Sequence, residues 1–420
     1  MANNLSSNIT RPLAKIFLEA FESSRVVTKT VNTQLLSGKF NPSTGTKVDF
    51  KRPHDYNSIS SAGGDISGAD KSDIIAGKAT GTVQPYFTSA TEWSNIQEAL
   101  ELDQLDQILE PMARRLVTDL ELDLAKFMRI NTGLNYGARG TAVDAWSDVA
   151  GAGAMMDSVG VPMSDNKYYL MNPFTTTSLA SAQSGLNAAD GLVRTAFEKA
   201  QIASNFGGMK ALTSNALSSY TSGSTTDRSG DLKTAPDATY VTAKDTMQQT
   251  MVIETLGTGT IEAGDQIQIA GVNRLNIATR QLILDATGAA VPWTGTVLSV
   301  VTIAGNEATV VVSGAAIFEA NGQYNNVDAA PAAGAVVTIL GAAATVYQPN
   351  LFYTEQAFGL GTVKLPKLYS TDTVATTSDG MSIRVSKYSD GDANTQKIRF
   401  DLLPAYACFN PNFAGQGYGV

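Results

Sequence analysis

Apolar residues three and four apart run through Leu102, Leu105, Ile108, Leu109, Met112, Leu116, Leu120, Leu124, Phe127 and Met128. This spacing predicts a long helix with one buried stripe, and Arg114, Arg115, Asp119, Asp123 and Arg129 decorate its remaining surface. Pro111 either kinks the run or opens a second helix at its first position. Near the start, Leu13, Ile16, Phe17, Ala20 and Phe21 repeat at helical spacing behind Pro12, with Lys15 and Glu19 four apart on the polar side. So short a helix is marginal alone in water. It packs either on a neighbouring molecule, as an arm, or on its own domain.

The period changes between these helices. An extended run over 46–52 and a second over 78–91 flank about 25 Gly-rich, Ser-rich and polar residues, a pattern that predicts a long projecting hairpin. Residues 135–219 alternate short helices (146–156, 188–200) with a strand over 167–171 that ends at Asn172-Pro173, an α+β order. From about 221 to 345 helical spacing nearly vanishes. Alternating runs at 249–254, 266–270, 295–303, 308–313 and 335–340 predict a small barrel or sandwich. Mixed sequence resumes after Pro349, with strands at 381–385 and 396–402, so the β unit reads as an insertion into an α+β host.

Charge sharpens that boundary. The 420 residues carry a formal net charge of −9. Between 221 and 348, five Lys and Arg stand against eleven Asp and Glu, so −6 of it lies on the inserted unit. Hydrophobic residues make up 43% and charged residues 16%, a globular composition, and no apolar run has the length of a membrane span. So acidic a chain is a poor binder of duplex DNA, whose affinity comes from phosphate neutralisation.

The same counts exclude chemistry. One histidine (His54) and one cysteine (Cys408) cannot build a typical zinc site or a disulfide framework, and a single cysteine fits a reducing cytosol. No nucleophile elbow or phosphate-cradling loop is present, and His54 reads as an exposed residue beside a strand. The run Asp390-Gly-Asp392-Ala-Asn394 resembles a calcium loop, but Thr395 stands where the turn needs glycine, so a hairpin turn is predicted. The tail Gly415-Gln-Gly-Tyr-Gly419 reads as a terminal loop. We expect no catalytic residues, cofactor or metal.

Several blocks, in order, resemble the major coat proteins of short-tailed, lambdoid double-stranded DNA bacteriophages. They include Phe50-Lys-Arg-Pro-His54, Gly64-Asp-Ile-Ser-Gly68, Ala76-Gly-Lys-Ala-Thr-Gly81, Val117-Thr-Asp-Leu-Glu121, Leu192-Val-Arg-Thr-Ala-Phe197 with Asn205-Phe-Gly-Gly208, Gly264-Asp265, and Tyr388-Ser-Asp-Gly-Asp392 through Phe400-Asp-Leu-Leu-Pro-Ala-Tyr406. The resemblance implies the Hong Kong-97 type capsid fold with an inserted Greek-key-like barrel. On that plan 1–40 is the N-terminal arm, 41–92 the extended-loop hairpin, and 93–134 the peripheral domain with its spine helix. The axial domain begins at 135–220, the inserted barrel occupies 221–348, 349–402 returns through the axial and peripheral domains, and 403–420 closes the axial segment.

The resemblance further implies a structural, non-enzymatic protein of the virion, assembled in the host cytoplasm into an icosahedral head around double-stranded DNA. Its implied partners are other copies in pentamers and hexamers, a scaffolding protein, a portal protein, and DNA bound without sequence preference; no membrane is involved. Assembly contacts are expected at Phe17, Glu19, Phe21 and Glu22 on the arm, with Glu19 and Glu22 docking a basic scaffold helix. Others are expected at Asp65, Asp70 and Lys71 on the hairpin, and at Lys244 and Asp245 in the insertion. The alternatives are a phage tail, decoration or adhesin-type binding protein, and an enzyme working through paired carboxylates. A tail-tube protein would lack the spine helix and inserted barrel.

Overall fold

A computed structural model describes residues 17–35, 40, 45–61, 63–94, 105–184, 193, 196, 198–369 and 372–420. It divides into two units, one holding the described residues of Met1–Asp49, Thr80–Ala125 and Phe358–Ala407, the other Phe50–Ala79, Lys126–Ala357 and Cys408–Val420.

The heptad-like stripe forms one helix, Leu105–Ile130, which contains Pro111 and so is not split into two there. Its 26 residues span about 39 Å at ~1.5 Å per residue. Leu109, Ala113, Leu116, Val117, Leu120 and Leu124 are buried, whereas Glu110, Arg114, Thr118 and Leu122 face solvent. Leu102 lies outside the described residues.

In the first unit a four-stranded sheet runs in the order Thr373–Thr376, Ser382–Asp390, Thr395–Leu402, Phe87–Ser94. Asp390 pairs with Thr395 across a tight turn, and Asn394 takes φ +51°, so the calcium-like run is a hairpin turn. Phe87–Ser94 is therefore not a continuation of Lys78–Val83: it joins this sheet, whereas Lys78–Val83 pairs with Pro404–Cys408.

The second unit contains a closed six-stranded antiparallel barrel. Around it stand Gln248–Glu254, Ala308–Ser313, Pro292–Val297, Gln266–Asn273, Val336–Ile339 and Ser229–Leu232, the last pairing with the first. The three central strands are joined in sequence and Val336–Ile339 returns beside Gln266–Asn273, a Greek-key connection. Met251, Ile253, Ile267, Ile269, Val310, Val312, Val337 and Ile339 fill the interior. The predicted strand over 295–303 breaks in two, Pro292–Val297 and Val301–Thr302. Ser229–Leu232 was not predicted, because only Gly230 and Leu232 turn inward from it.

The host module is a six-stranded sheet in the order Leu134–Tyr136, Ala414–Gly417, Asn350–Thr354, Lys167–Met171, Met209–Thr213, Asn205–Phe206. Helix Trp146–Val159 buries Val149, Ala152 and Met156 in its core. A second helix, Pro173–Ser184, carries too many threonines and serines for an apolar period. Its signal is the start: Asn172 accepts the Thr175 N–H at 2.7 Å, with proline at the first position.

The tail corrects the loop expectation, since Ala414–Gly417 is a buried strand between two others. Its glycines let aromatic rings approach. A Cβ on Gly415 would stand 2.1 Å from the Phe352 ring, and one on Gly417 2.8 Å from the Tyr169 hydroxyl.

Candidate assembly site and the buried polar junction

The helix at 17–24 is part of its own unit. Phe17 stacks on Phe400 at 3.8 Å between ring centroids, and both Phe17 and Phe21 are fully buried. Of the two packings that their spacing allowed, this is the one on the chain's own unit. Arg25 extends the attachment with an ion pair to Asp379 at 2.7 Å. Glu19 is exposed, and Glu22 accepts the Ser378 N–H. The buried Glu121 of the long helix receives the N–H groups of Val26 and Thr28, and burial raises its pKa against those bonds.

Asp65, Asp70 and Lys71 lie on an exposed loop. Asp65 accepts the Ser67 N–H at 2.9 Å, which holds its carboxyl below the usual range, and Lys71 reaches the Ile66 carbonyl. Lys244 and Asp245 pair with each other at 2.7 Å, and this bond lowers the Asp245 pKa. They follow a short helix, Tyr240–Ala243. Among the described residues no three of His, Cys, Asp and Glu come together to hold a metal, and no helix is long and apolar enough to cross a membrane.

What sequence reasoning missed is the junction between barrel and host. The chain enters the barrel through Tyr220–Thr221 and leaves through Val346–Tyr347, and these two short strands pair. Asp265, fully buried before the barrel strand Gln266–Asn273, is the carboxylate at its centre. It accepts the N–H of Gly223 at 2.9 Å and of Glu262 at 3.1 Å. Arg139 and Arg228 stand 3.7 and 3.8 Å away.

The guanidiniums find their other partners in the backbone, in tyrosines and in one side-chain amide. Arg228 donates to the carbonyls of Leu340 and Gly341, where the chain leaves the barrel. Arg139 donates to Tyr220 and to Gln416 of the tail strand, and Arg129, ending the long helix, lies 4.2 Å from the Tyr220 ring centroid. Burial opposes the charge on Arg139, but Tyr418, Tyr220 and Asp265 outweigh it and raise the pKa.

Beside this group, Arg274 is fully buried with no carboxylate among its hydrogen-bond partners: it donates to the Gly133 carbonyl, the Thr294 carbonyl and hydroxyl, and Asn412. Desolvation pulls its pKa down to about 9. Thr132 and Thr296 complete the seam with a hydroxyl contact at 3.0 Å. Of the junction, only Gly264-Asp265 lies in a block that resembles the phage coat proteins.

A barrel whose two chain ends pair and whose base is bonded into a host sheet has the topology of an inserted domain. A sequence-family profile described as "P22 coat protein - gene protein 5" matches residues 1–419. The chain belongs to the P22 coat protein family. The major capsid protein of Acyrthosiphon pisum secondary endosymbiont phage 1 is 48% identical to it over 424 residues, covering 100% of both chains. Solved structures that resemble it include the capsid of cyanophage P-SCSP1u, at 13% identity and a TM-score of 0.45 over 93% of this chain and 86% of that one. Another is from Mycobacterium phage Che8, at 11% identity and a TM-score of 0.46 over 94% and 89%. Membership rests on the sequence match, and the structure adds to it an α+β body that carries an inserted closed barrel. As a coat protein of this family the chain is a structural capsid component.

Proposed function

We propose that the chain self-assembles as pentamers and hexamers into an icosahedral head enclosing double-stranded DNA. Assembly passes through a scaffold-assisted procapsid, formed in the host cytoplasm around a portal protein, that matures by expansion. The observation that carries this reading is the family match from residue 1 to 419, joined to a full-length relative named as a major capsid protein. The chemistry supports it. Exposed ion pairs worth about 0–1 kcal/mol each form reversibly and gain strength by repetition over many copies. An acidic subunit also adsorbs duplex weakly, which leaves packaged DNA free to move.

Co-expression of the chain with a scaffold protein, followed by electron microscopy, tests the proposal. Closed shells of uniform diameter are expected; persistent monomers or open tubes would overturn it. Reversing the charge at Glu19 and Glu22 together should weaken scaffold binding, and unchanged binding removes those two residues from the proposal.

A further inference from the structure

The long loop between Lys47–Lys51 and Lys78–Val83 is held at both limbs by the same small part of the barrel domain. On the outgoing limb, Asp55 forms an ion pair with Arg280, its N–H donates to the Tyr324 hydroxyl, and Asn57 donates to the Asn321 carbonyl at 2.7 Å. On the returning limb, Gln323 donates to the Asp73 carbonyl at 2.6 Å and the Lys78 N–H donates to Asp245 at 3.2 Å. Ile75 packs against the cluster formed by Tyr240, Met247 and Ile317. Gly77 fits so closely that a Cβ there would stand 2.8 Å from the Lys244 carbonyl and 2.9 Å from the Tyr240 hydroxyl. Further out, Gly63, Gly64 and Gly68 have nothing within 4 Å of a Cβ position.

The gripping segment is itself braced. Arg280 donates to the carbonyls of Asn325 and Gln323 while it pairs with Asp55, and Asn325 closes the 319–325 turn on Glu319 in both directions. The limbs also meet each other, Asn57 N–H on the Ser72 hydroxyl and Arg52 N–H on the Gly77 carbonyl. A loop whose two limbs share one rigid holder has a fixed direction of exit, whatever freedom its tip retains.

We propose that the inserted barrel is a clamp on the long loop, setting the direction in which residues 58–61 and 63–72 leave the barrel domain. The inference concerns the isolated subunit and stands whether or not the shell reading does. Hydrogen exchange on the full-length unassembled chain tests it, comparing wild type, Asp55→Ala/Asn57→Ala and Gly77→Ala. In wild type the amides of 54–57 and 73–78 should exchange more slowly than those of the tip. Both variants should raise exchange in those limbs about tenfold or more, as expected when two or three solvent-accessible hydrogen bonds are lost. The barrel amides at 248–254 and 308–313 should be unchanged, which shows that the domain is still folded. Gly77→Ala is the sharper probe. Its backbone is not in the left-handed region, so in an unclamped loop the added methyl would have no effect. Limb exchange as fast as the tip in wild type, or limbs unmoved by Gly77→Ala, would overturn the clamp.

Discussion

The carboxylates of Asp401, in the first unit, and Asp265, in the second, are both fully buried, but they are met differently. Asp401 sits in one row of a sheet: Arg384 is its register partner on one side and Thr88 on the other. Arg384 and Arg399 reach it at 2.6 Å and the Thr88 hydroxyl at 2.7 Å. Asp265 takes its direct hydrogen bonds from backbone N–H groups, with two guanidiniums beyond bonding distance. Its cations lean on carbonyls, phenols and an amide drawn from chain segments between Arg129 and Gln416. A charge met in register is held by one hairpin and its neighbour. A charge met by convergence joins a barrel to its host, so disturbing it opens several segments at once.

The largest expected effect follows from that. Asp265→Ala leaves the buried Arg139 side chain and the partly buried Arg228 without their carboxylate and should cost about 3–5 kcal/mol, the range for breaking a buried pair. Urea unfolding monitored by exchange in the host sheet and barrel together measures it. A loss no greater than that from Arg384→Met would break the comparison.

Arg384→Met should cost less, about 1–3 kcal/mol, because Asp401 keeps Arg399 and Thr88. It should also change the acid response. Burial opposes the charge on Asp401, but its bonds to Arg384, Arg399 and Thr88 win and hold its pKa below the ordinary value. Its contribution to stability is therefore complete above the unfolded pKa of about 3.9 and disappears as the pH falls through the lower folded value. Unfolding of the first unit followed from pH 6 downward should show this loss in wild type and a flatter profile in Arg384→Met. Identical profiles would mean that the register pair does not hold the charge.

The smallest effect sharpens both. Lys233 and Glu307 form an exposed pair on the barrel, at 43% and 40% exposure. Lys233→Ala should leave the urea midpoint of unfolding indistinguishable from wild type. A measurable shift would show that burial is not what separates the three cases.

Much of the fold was legible in the chain. The barrel strands announce themselves because inward Ile and Val alternate with outward polar residues, and the long helix because its stripe repeats every three or four residues. Ser229–Leu232 escaped because glycine leaves too little apolar side chain to register as alternation. The tail strand escaped for a different reason: glycine usually signals a loop, and here it signals ring contact with Phe352 and Tyr169. Phe17 and Phe21 show the limit of periodicity. An amphipathic stripe states that it will be covered and does not state by whom.

By itself, the sequence determined the class of this protein: acidic, α+β with an inserted β unit, poor in catalytic side chains, and similar in ordered blocks to phage coat proteins. Those properties follow from residue types and local spacing, which act over a few positions. Only the tertiary structure decided that the arm's aromatics are closed inside their own unit, that the long loop is gripped by the barrel, and that Asp265 and Arg274 form a junction. Each depends on residues scores to hundreds of positions apart meeting within bonding distance. Hydrogen bonds and desolvation act at that range, and no periodicity along the chain encodes it.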